Sequence, residues 1–505
     1  MKNSRRDNGP GEAAIAVTRS ILTRHLFGAW RQTRHHAPMA LALLATSCGT
    51  LTSATNVVMG PPPVEIGTPG YIHGFVGDVV ADEPRAAIVG RDTLSAGGNA
   101  MDAAVAVGLA LAVTLPSRAG LGGGGACVAY APNPKWISGG RPEAVLFLPG
   151  APKKTATADS DRPASTPMLA RGLYLLHSRY GSRPFDTLVL PAEQLARLGV
   201  PVSRALNRDL EAVSGPLAAD PNARSVFLPG GKPLAEGAQL VQPALGATLA
   251  QLRVAGIGDL YQGILARRVE RSSRLAGGPI SLTDLRDALP TLAATLDIAV
   301  GPDRVSFLPP PADGGLAALG AFQVLTGASP TADAANARGL ALASRWRESG
   351  AEPRSLLASP QPGIANLGAL PASTSFVVVD RDGNSVACAL TLNNLFGTGR
   401  ILPGIGYIAG ASPTSVPPAL LSAAIAWNPR KEAFRAAVAG SGQEGAPLAV
   451  ASVMAEALSG AATPRPAPEP GRANAVTCTG YLPDAEKSCV AVTDPRGSGL
   501  AIGGG

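Results

Sequence analysis

The segment Asn99-Ala-Met-Asp-Ala-Ala-Val-Ala-Val-Gly-Leu-Ala-Leu-Ala-Val113 restricts the fold more than any other part of the chain. Read at 3.6 residues per turn it is apolar on nearly every side, so it has to be covered from several directions. A membrane is no alternative cover: the apolar run from Ala103 to Leu115 falls short of the roughly 20 residues that a span requires. Such a helix should be buried in a large core. The chain has the material for one, since 46% of its 505 residues are hydrophobic, which argues against global disorder. The length allows up to about three domains, or one large α/β unit built from two interlocked segments.

The rest of the chain alternates between helical and strand patterns. Residues 78–115 read as helical, Gly120-Leu-Gly-Gly-Gly-Gly125 follows, and Ala126-Cys-Val-Ala-Tyr130 reads as a strand. Helical patterns return at 169–180, 191–198, 245–255 and 260–271, and Ser281-Leu-Thr-Asp284 has the form of a capping box. Residues 305–308 form a short strand. Residues 327–370 are rich in Ala, Ser, Pro and Gly with weak periodicity, and are expected to be mobile. Two strands joined by a turn follow at 376–380 and 385–391; a Pro-rich linker at 464–470 precedes a short terminal strand pair.

The formal charge of +7 could suggest nucleic acid, but the excess lies largely in the first forty residues, with Lys2, Arg5, Arg6, Arg19, Arg24, Arg31 and Arg34. No basic stripe interleaved with aromatics follows, so no nucleic-acid partner is expected. The basic stretch ends at Arg34-His35-His36, then come the apolar Met39-Ala-Leu-Ala-Leu-Leu-Ala45 and the small Thr46-Ser47-Cys48. That order predicts an export signal over 1–48. A Cys after small residues is similar to a bacterial lipoprotein site, which would lipidate Cys48 and hold the protein in the periplasm or cell envelope. Residues 49–76 read as a tether. The remaining cysteines, Cys127, Cys388, Cys478 and Cys489, have no CxxC spacing, which excludes a zinc or thioredoxin motif. Cys478 and Cys489 flank a short loop and either close a small disulfide in an oxidising compartment or stand as free thiols.

Catalysis by histidine lacks raw material. Beyond residue 36 only His73, in the tether, and His177, on a helical stretch, remain. A Ser-His-Asp hydrolase needs an imidazole beside its serine and His-based zinc sites need several; no metal is expected. The glycine run fits GxGxxG, but the order helix, glycines, strand is the reverse of a dinucleotide fingerprint, and no cofactor is expected. One chemistry needs no His: a chain cut before a Ser or Thr frees an α-amine that serves as the base of its own nucleophile. Pro371-Ala-Ser373-Thr374-Ser375-Phe-Val-Val-Val-Asp380 carries adjacent hydroxyls running into a Val-rich strand, which turns at Asp382-Gly383. With a two-residue turn Thr374 faces Thr391; one extra loop residue puts Ser373 there instead.

This segment resembles the gamma-glutamyltransferase family, whose small subunit begins with hydroxyl residues and runs through Val-Val-Asp-x-Asp-Gly-Asn. Here the matching residues are Phe376-Val-Val-Val-Asp-Arg-Asp-Gly-Asn384, Leu390-Thr-Leu-Asn393, Phe396-Gly-Thr-Gly399 and Pro403-Gly404. Ala96-Gly-Gly-Asn-Ala-Met-Asp102, the glycine run, Pro309-Pro-Pro-x-x-Gly-Gly315 and Asp494-Pro-Arg-Gly-Ser-Gly499 extend the resemblance over roughly 77–457 and the last dozen residues. It implies an α+β fold, a four-layer αββα sandwich of the N-terminal-nucleophile hydrolase type. It also implies autocleavage into a large-subunit segment, 77–372, and a small-subunit segment, 373–505, that stay together as a heterodimer.

By the same register the nucleophile falls on Ser373, with Thr374 as neighbour and alternative; the second Thr and the Asn are Thr391 and Asn393. The oxyanion glycines fall near Gln443-Glu444, beside Gly440, Ser441 and Gly442, which are taken as substrate-binding. The glutamate-recognition positions depart from the pattern. Leu148 stands where the family Arg grips the α-carboxylate, Ser412, Thr414 and Ser415 stand at the α-amine position, and Ala419-Leu420 replace a Ser pair. A zwitterion would lose charge-assisted hydrogen bonds there, so a less charged acyl group is expected. The resemblance thus implies a gamma-glutamyltransferase-like amidohydrolase or acyltransferase acting on a small-molecule amide or peptide, with gamma-glutamyl transfer or glutathione hydrolysis as the family activity. A non-catalytic envelope binding protein on the same fold is the competing expectation.

Overall fold

The computed structural model describes residues 74–133, 138–153, 160–359, 363–461 and 463–503, all within one compact unit. The expected export signal, Cys48, His73 and the tether up to residue 73 lie outside the described residues. Two antiparallel sheets form the centre. The first contains β1 (Gly77–Ala81), β2 (Gly124–Tyr130), β3 (Glu143–Phe147), β6 (Thr291–Ala294), β9 (Thr374–Asp380), β10 (Ser385–Thr391) and β15 (Leu500–Ile502), in the order β15-β1-β9-β10-β2-β3-β6. The second contains β7 (Leu296–Val300), β8 (Asp303–Phe307), β11 (Ser422–Asn428), β12 (Ala433–Ser441), β13 (Arg472–Leu482) and β14 (Cys489–Val492), in the order β14-β13-β12-β11-β8-β7. A small separate pair joins β4 (Val200–Pro201) to β5 (Gln239–Leu240). Both large sheets interleave the two halves of the chain: β1 lies between β9 and β15, and β8 pairs with β11.

Period-two alternation divides each strand between two cores. Val377 and Val379 face the second sheet, where they meet Ile425, Ala437 and Val476. Phe376 and Val378 face outward onto the helices Pro84–Ser95 and Ala100–Thr114. On the far side, Phe307, Ala424 and Val438 pack against the helices Gly314–Leu325 and Ala446–Leu458. Three cores between four layers make the αββα sandwich. Every residue of the helix Ala100–Thr114 is buried, as its all-round apolarity demands.

The structure differs from the sequence patterns in four places. Residues 77–81 form the strand β1 ahead of the first helix, so the helical reading from 78 began too early. Residues 327–370 contain the 18-residue helix Ala332–Ser349 and the shorter Pro353–Ala358, where a mobile stretch was expected. The first of these packs on the helix Gly314–Leu325 mostly through small residues such as Ala335, Gly339 and Ala343, with Leu342 over Gly320, too few large side chains to mark an apolar stripe. The hairpin 374–391 turns through three residues rather than two. Finally, β15 follows the terminal pair β13–β14 and returns to the first sheet.

Both disulfides are between directly opposed residues of antiparallel neighbours. Cys478–Cys489 joins β13 to β14, as one of the two sequence readings had it. Cys127–Cys388 joins β2 to β10 inside the core and was not foreseen.

Candidate active site

The turn after β9 sets the register of everything above it. Asp380 N donates to Asn384 O at 3.0 Å, leaving Arg381, Asp382 and Gly383 as a three-residue loop with Gly383 at φ 82°, the left-handed position that glycine supplies without a Cβ penalty. The Asp380 carboxylate caps this loop. It accepts from Asp382 N and Asn384 N at 3.0 Å, Asn384 Nδ2 at 2.8 Å and Ala100 N at 2.9 Å. Burial pushes its pKa up to about 6, against the pull of those hydrogen bonds. The extra loop residue pairs Leu390 with Thr374, so the next step outward puts Ser373, and not Thr374, opposite Thr391.

Ser373 is 3% exposed, and its hydroxyl has no hydrogen-bond partner among the described residues. Thr391 Oγ1 donates to the Ala372 carbonyl, the one immediately before Ser373, at 2.8 Å. It also accepts from Asn393 N at 2.9 Å. Asn393, at φ 55°, donates its side-chain amide to Pro149 O at 3.1 Å and Ala411 O at 3.2 Å. It therefore braces the loops on either side of the site. The glycine run serves the same geometry: a Cβ on Gly123 would collide with the Thr391 carbonyl oxygen.

Thr374 is differently placed. Its hydroxyl donates to Asp82 Oδ2 at 3.0 Å, and the same oxygen accepts Ser375 N at 2.9 Å. Asn474 Nδ2 donates to Asp82 Oδ1 at 2.8 Å and to Ser375 O at 2.9 Å, while Thr493 donates to Asn474 Oδ1 at 2.9 Å. Sequence reasoning missed Asp82 and Asn474. The only signal near them was the Asp494-Pro-Arg-Gly motif, which follows Thr493.

Gly440 and Ser441 end β12, opposite Ala473 and Arg472, and Gly442 follows it. Gly442 at φ 106° and Gln443 at φ 55° turn the chain, and Gln443 Nε2 donates to Leu370 O at 2.8 Å. Ser375 Oγ donates to Ala439 O at 3.2 Å. The glycine turn is thus tied to the approach to Ser373.

Leu148 is half-buried against the core between the sheets, and Ser412 is buried with its hydroxyl beside that of Thr414 at 2.9 Å. Arg118, beside the glycine run, and Arg400, after Gly399, are both paired: Arg118 holds Asp209 with two bonds of 2.7 and 2.8 Å, and Arg400 holds Asp161 with bonds of 2.8 and 2.6 Å. A cavity of about 280 Å³ opens beside Asn394, Ala411 and Ser415, with Arg162 on its wall. His177 is half-buried on the helix Leu169–Tyr180, its Nε2 2.7 Å from Arg183 O. Among the described residues no group of three or more His, Cys, Asp or Glu could hold a metal ion.

A four-layer sandwich with hydroxyl residues at the head of a central strand defines the N-terminal-nucleophile class, whose enzymes act on amide bonds. The chain belongs to the gamma-glutamyltranspeptidase family: the model of that description matches residues 86–346. It is 31% identical over 426 residues to the glutathione hydrolase proenzyme of Escherichia coli (strain K12), covering 73% of this chain and 71% of that protein. It is 29% identical over 391 residues to the acylase ACY 1 proenzyme of Pseudomonas sp. (strain SE83), covering 66% and 69%. With the glutathione hydrolase proenzyme of Bacillus subtilis (strain 168) the likeness, 30% over 267 residues, spans 45% of that protein. Among solved structures, cephalosporin acylase from Bacillus halodurans shares the fold at a TM-score of 0.70 and 19% identity, over 88% of this chain and 98% of that one. The chain is an enzyme of amide-bond hydrolysis or transfer.

Proposed function

We propose that the chain cuts itself before Ser373 and that Ser373 then serves as the nucleophile of an exported amidohydrolase or acyltransferase. The observation that carries this reading is the Thr391 hydroxyl on the Ala372 carbonyl at 2.8 Å, immediately before the buried Ser373. In the cut, Ser373 Oγ attacks the Ala372 carbonyl carbon. A C–O bond forms, the C–N bond breaks, and the hydroxyl proton passes to the departing nitrogen, which becomes the free α-amine. One water then hydrolyses the ester, leaving the Ala372 carboxylate and a free Ser373 hydroxyl. In turnover the amine takes the hydroxyl proton as Ser373 attacks a substrate amide, and returns it to the leaving amine. Water or an acceptor amine resolves the acyl-enzyme. Thr391 donates to the developing oxyanion of the cut, Asn393 braces the loops, and the turn after Ser441 borders the acyl site.

The relatives are named glutathione hydrolases and an acylase; the pocket residues favour the acylase side. Leu148 offers no charge to an α-carboxylate, Ser412, Thr414 and Ser415 offer none to an α-ammonium, and Arg118 and Arg400 are engaged. A neutral or monoanionic acyl group fits this chemistry, with Arg162 as the partner of one carboxylate. The two disulfides support an oxidising compartment, in keeping with the export signal read over 1–48.

Intact mass spectrometry under reducing conditions tests the reading. Wild-type protein should give a C-terminal fragment beginning at Ser373. Ser373→Ala should remain whole, while Thr374→Ala is still cut. Processed protein should hydrolyse glutaryl or phenylacetyl anilides with kcat/KM at least about tenfold above the gamma-glutamyl anilide, the scale of one lost charge-assisted hydrogen bond. A wild-type chain that stays uncut ends the autocleavage reading; efficient turnover of the gamma-glutamyl anilide alone ends the specificity reading.

A further inference from the structure

We infer that Asp82 is the positioning residue that selects Ser373 over Thr374 as the point of cleavage. The inference rests on the autocleavage proposed above and adds what decides its register. Two hydroxyls stand side by side at the head of β9, and each has a preceding carbonyl that it could attack. They differ in what holds them. The Thr374 hydroxyl gives its one proton to Asp82 Oδ2, and that oxygen also lies 2.9 Å from Ser375 N. The Thr374 hydroxyl thus spends its proton on a carboxylate oxygen that the backbone of Ser375 also holds in place. Asn474 fixes the carboxylate from the other side through Oδ1 and grips Ser375 O as well, and Thr493 fixes Asn474. Thr374 and Ser375 are thus pinned by a strand end (Asp82 follows β1) and by β13, both outside the hairpin. Ser373, one residue upstream, is beyond the reach of this clamp.

A carboxylate beside a hydroxyl could instead act as its base. In that case Thr374 would be the nucleophile and the cut would fall one residue later. The placement of Oδ2 beside Ser375 N, and of the Thr391 hydroxyl on Ala372 O rather than on Ser373 O, favours the clamp.

The test reads the start of the small fragment and the first-order rate of the cut, by intact mass over time, in the full chain. Wild type should start only at Ser373. Asp82→Ala should be cut about 10²-fold more slowly, the cost of misplacing reacting groups by about 1 Å, and should yield a mixture starting at Ser373 and at Thr374. Adding Thr374→Val should remove the second product and leave the slow cut at Ser373. Asp82→Asn, which keeps an acceptor oxygen for Thr374 and Ser375 at the same volume and gives up only the bond from Asn474, should restore the single start. That rescue is one that mere loss of stability would not give, and it keeps the test decisive should Asp82→Ala fail to fold. Asp82→Asn with a mixed start, or Asp82→Ala cut only before Ser373 at the wild-type rate, overturns the inference and leaves the proposed function standing. An uncut wild type removes the proposed function itself.

Discussion

At the scale of single residues, the site is organised by hydroxyl groups with unequal commitments. Thr391 is the one whose bond falls on the Ala372 carbonyl, where the cut is proposed, so its removal is the most telling substitution after Ser373. Thr391→Val keeps the volume but not the donor. It is expected to slow the cut by about 10²–10³-fold, the effect of losing one oxyanion donor, and Thr391→Ser to recover most of the rate; time-resolved mass spectra of the two fragments measure both. Ser373, Thr391 and Asn393 are candidates from the sequence because the strand motif around the Val run carries them at recognisable spacing, and the structure brings Thr391 onto the carbonyl before Ser373. Asp82 and Asn474 were not legible in the sequence. Their bonds to Thr374 and Ser375 span 292 and 99 residues, distances at which spacing says nothing. The helical reading of 78–115 had also hidden Asp82 inside an element it precedes.

At the scale of elements, the hairpin β9–β10 places the hydroxyls, and Asp380 holds the hairpin. Its carboxyl binds a proton more tightly folded than unfolded, so its contribution to stability is full below about pH 4 and is lost as pH rises through about 6. A displacement from 3.8 to about 6 corresponds to about 3 kcal/mol. Urea melts of the uncut Ser373→Ala chain, with and without Asp380→Asn, should therefore show the Asp380 form losing up to about 3 kcal/mol relative to the Asn form between pH 4 and pH 7. A pH-independent difference between them would contradict the shift. The strands were readable from their Val and Ala alternation, yet turn length was not, because Asp-Gly serves two-residue and three-residue loops alike. The helix Ala332–Ser349 escaped for another reason: its Ala and Gly contacts bury little area per residue, and hydrophobic periodicity registers area.

At the scale of the whole molecule, the layers could be anticipated from the family resemblance and the burial of the all-round apolar helix from its sequence, while the link between Cys127 and Cys388 could not, since no local spacing relates them. That link joins β2 of the 77–372 segment to β10 of the 373–505 segment. The cut protein should consequently migrate as one chain on a denaturing gel without reductant and as two with it. Cys388→Ala should separate without reductant, and a wild type that does so too would show that the bond does not form.

The interleaved sheets carry a further consequence. Since β1 sits between β9 and β15, neither segment alone can complete the first sheet, and a Thr391 hydroxyl resting on the Ala372 carbonyl exists only after the whole sandwich has assembled. On the cut proposed before Ser373, cleavage works as a certificate of assembly. A molecule with a wrongly threaded strand would keep its peptide bond, never expose its amine, and stay inert. Maturation and proofreading would then be a single event, performed without any outside inspector.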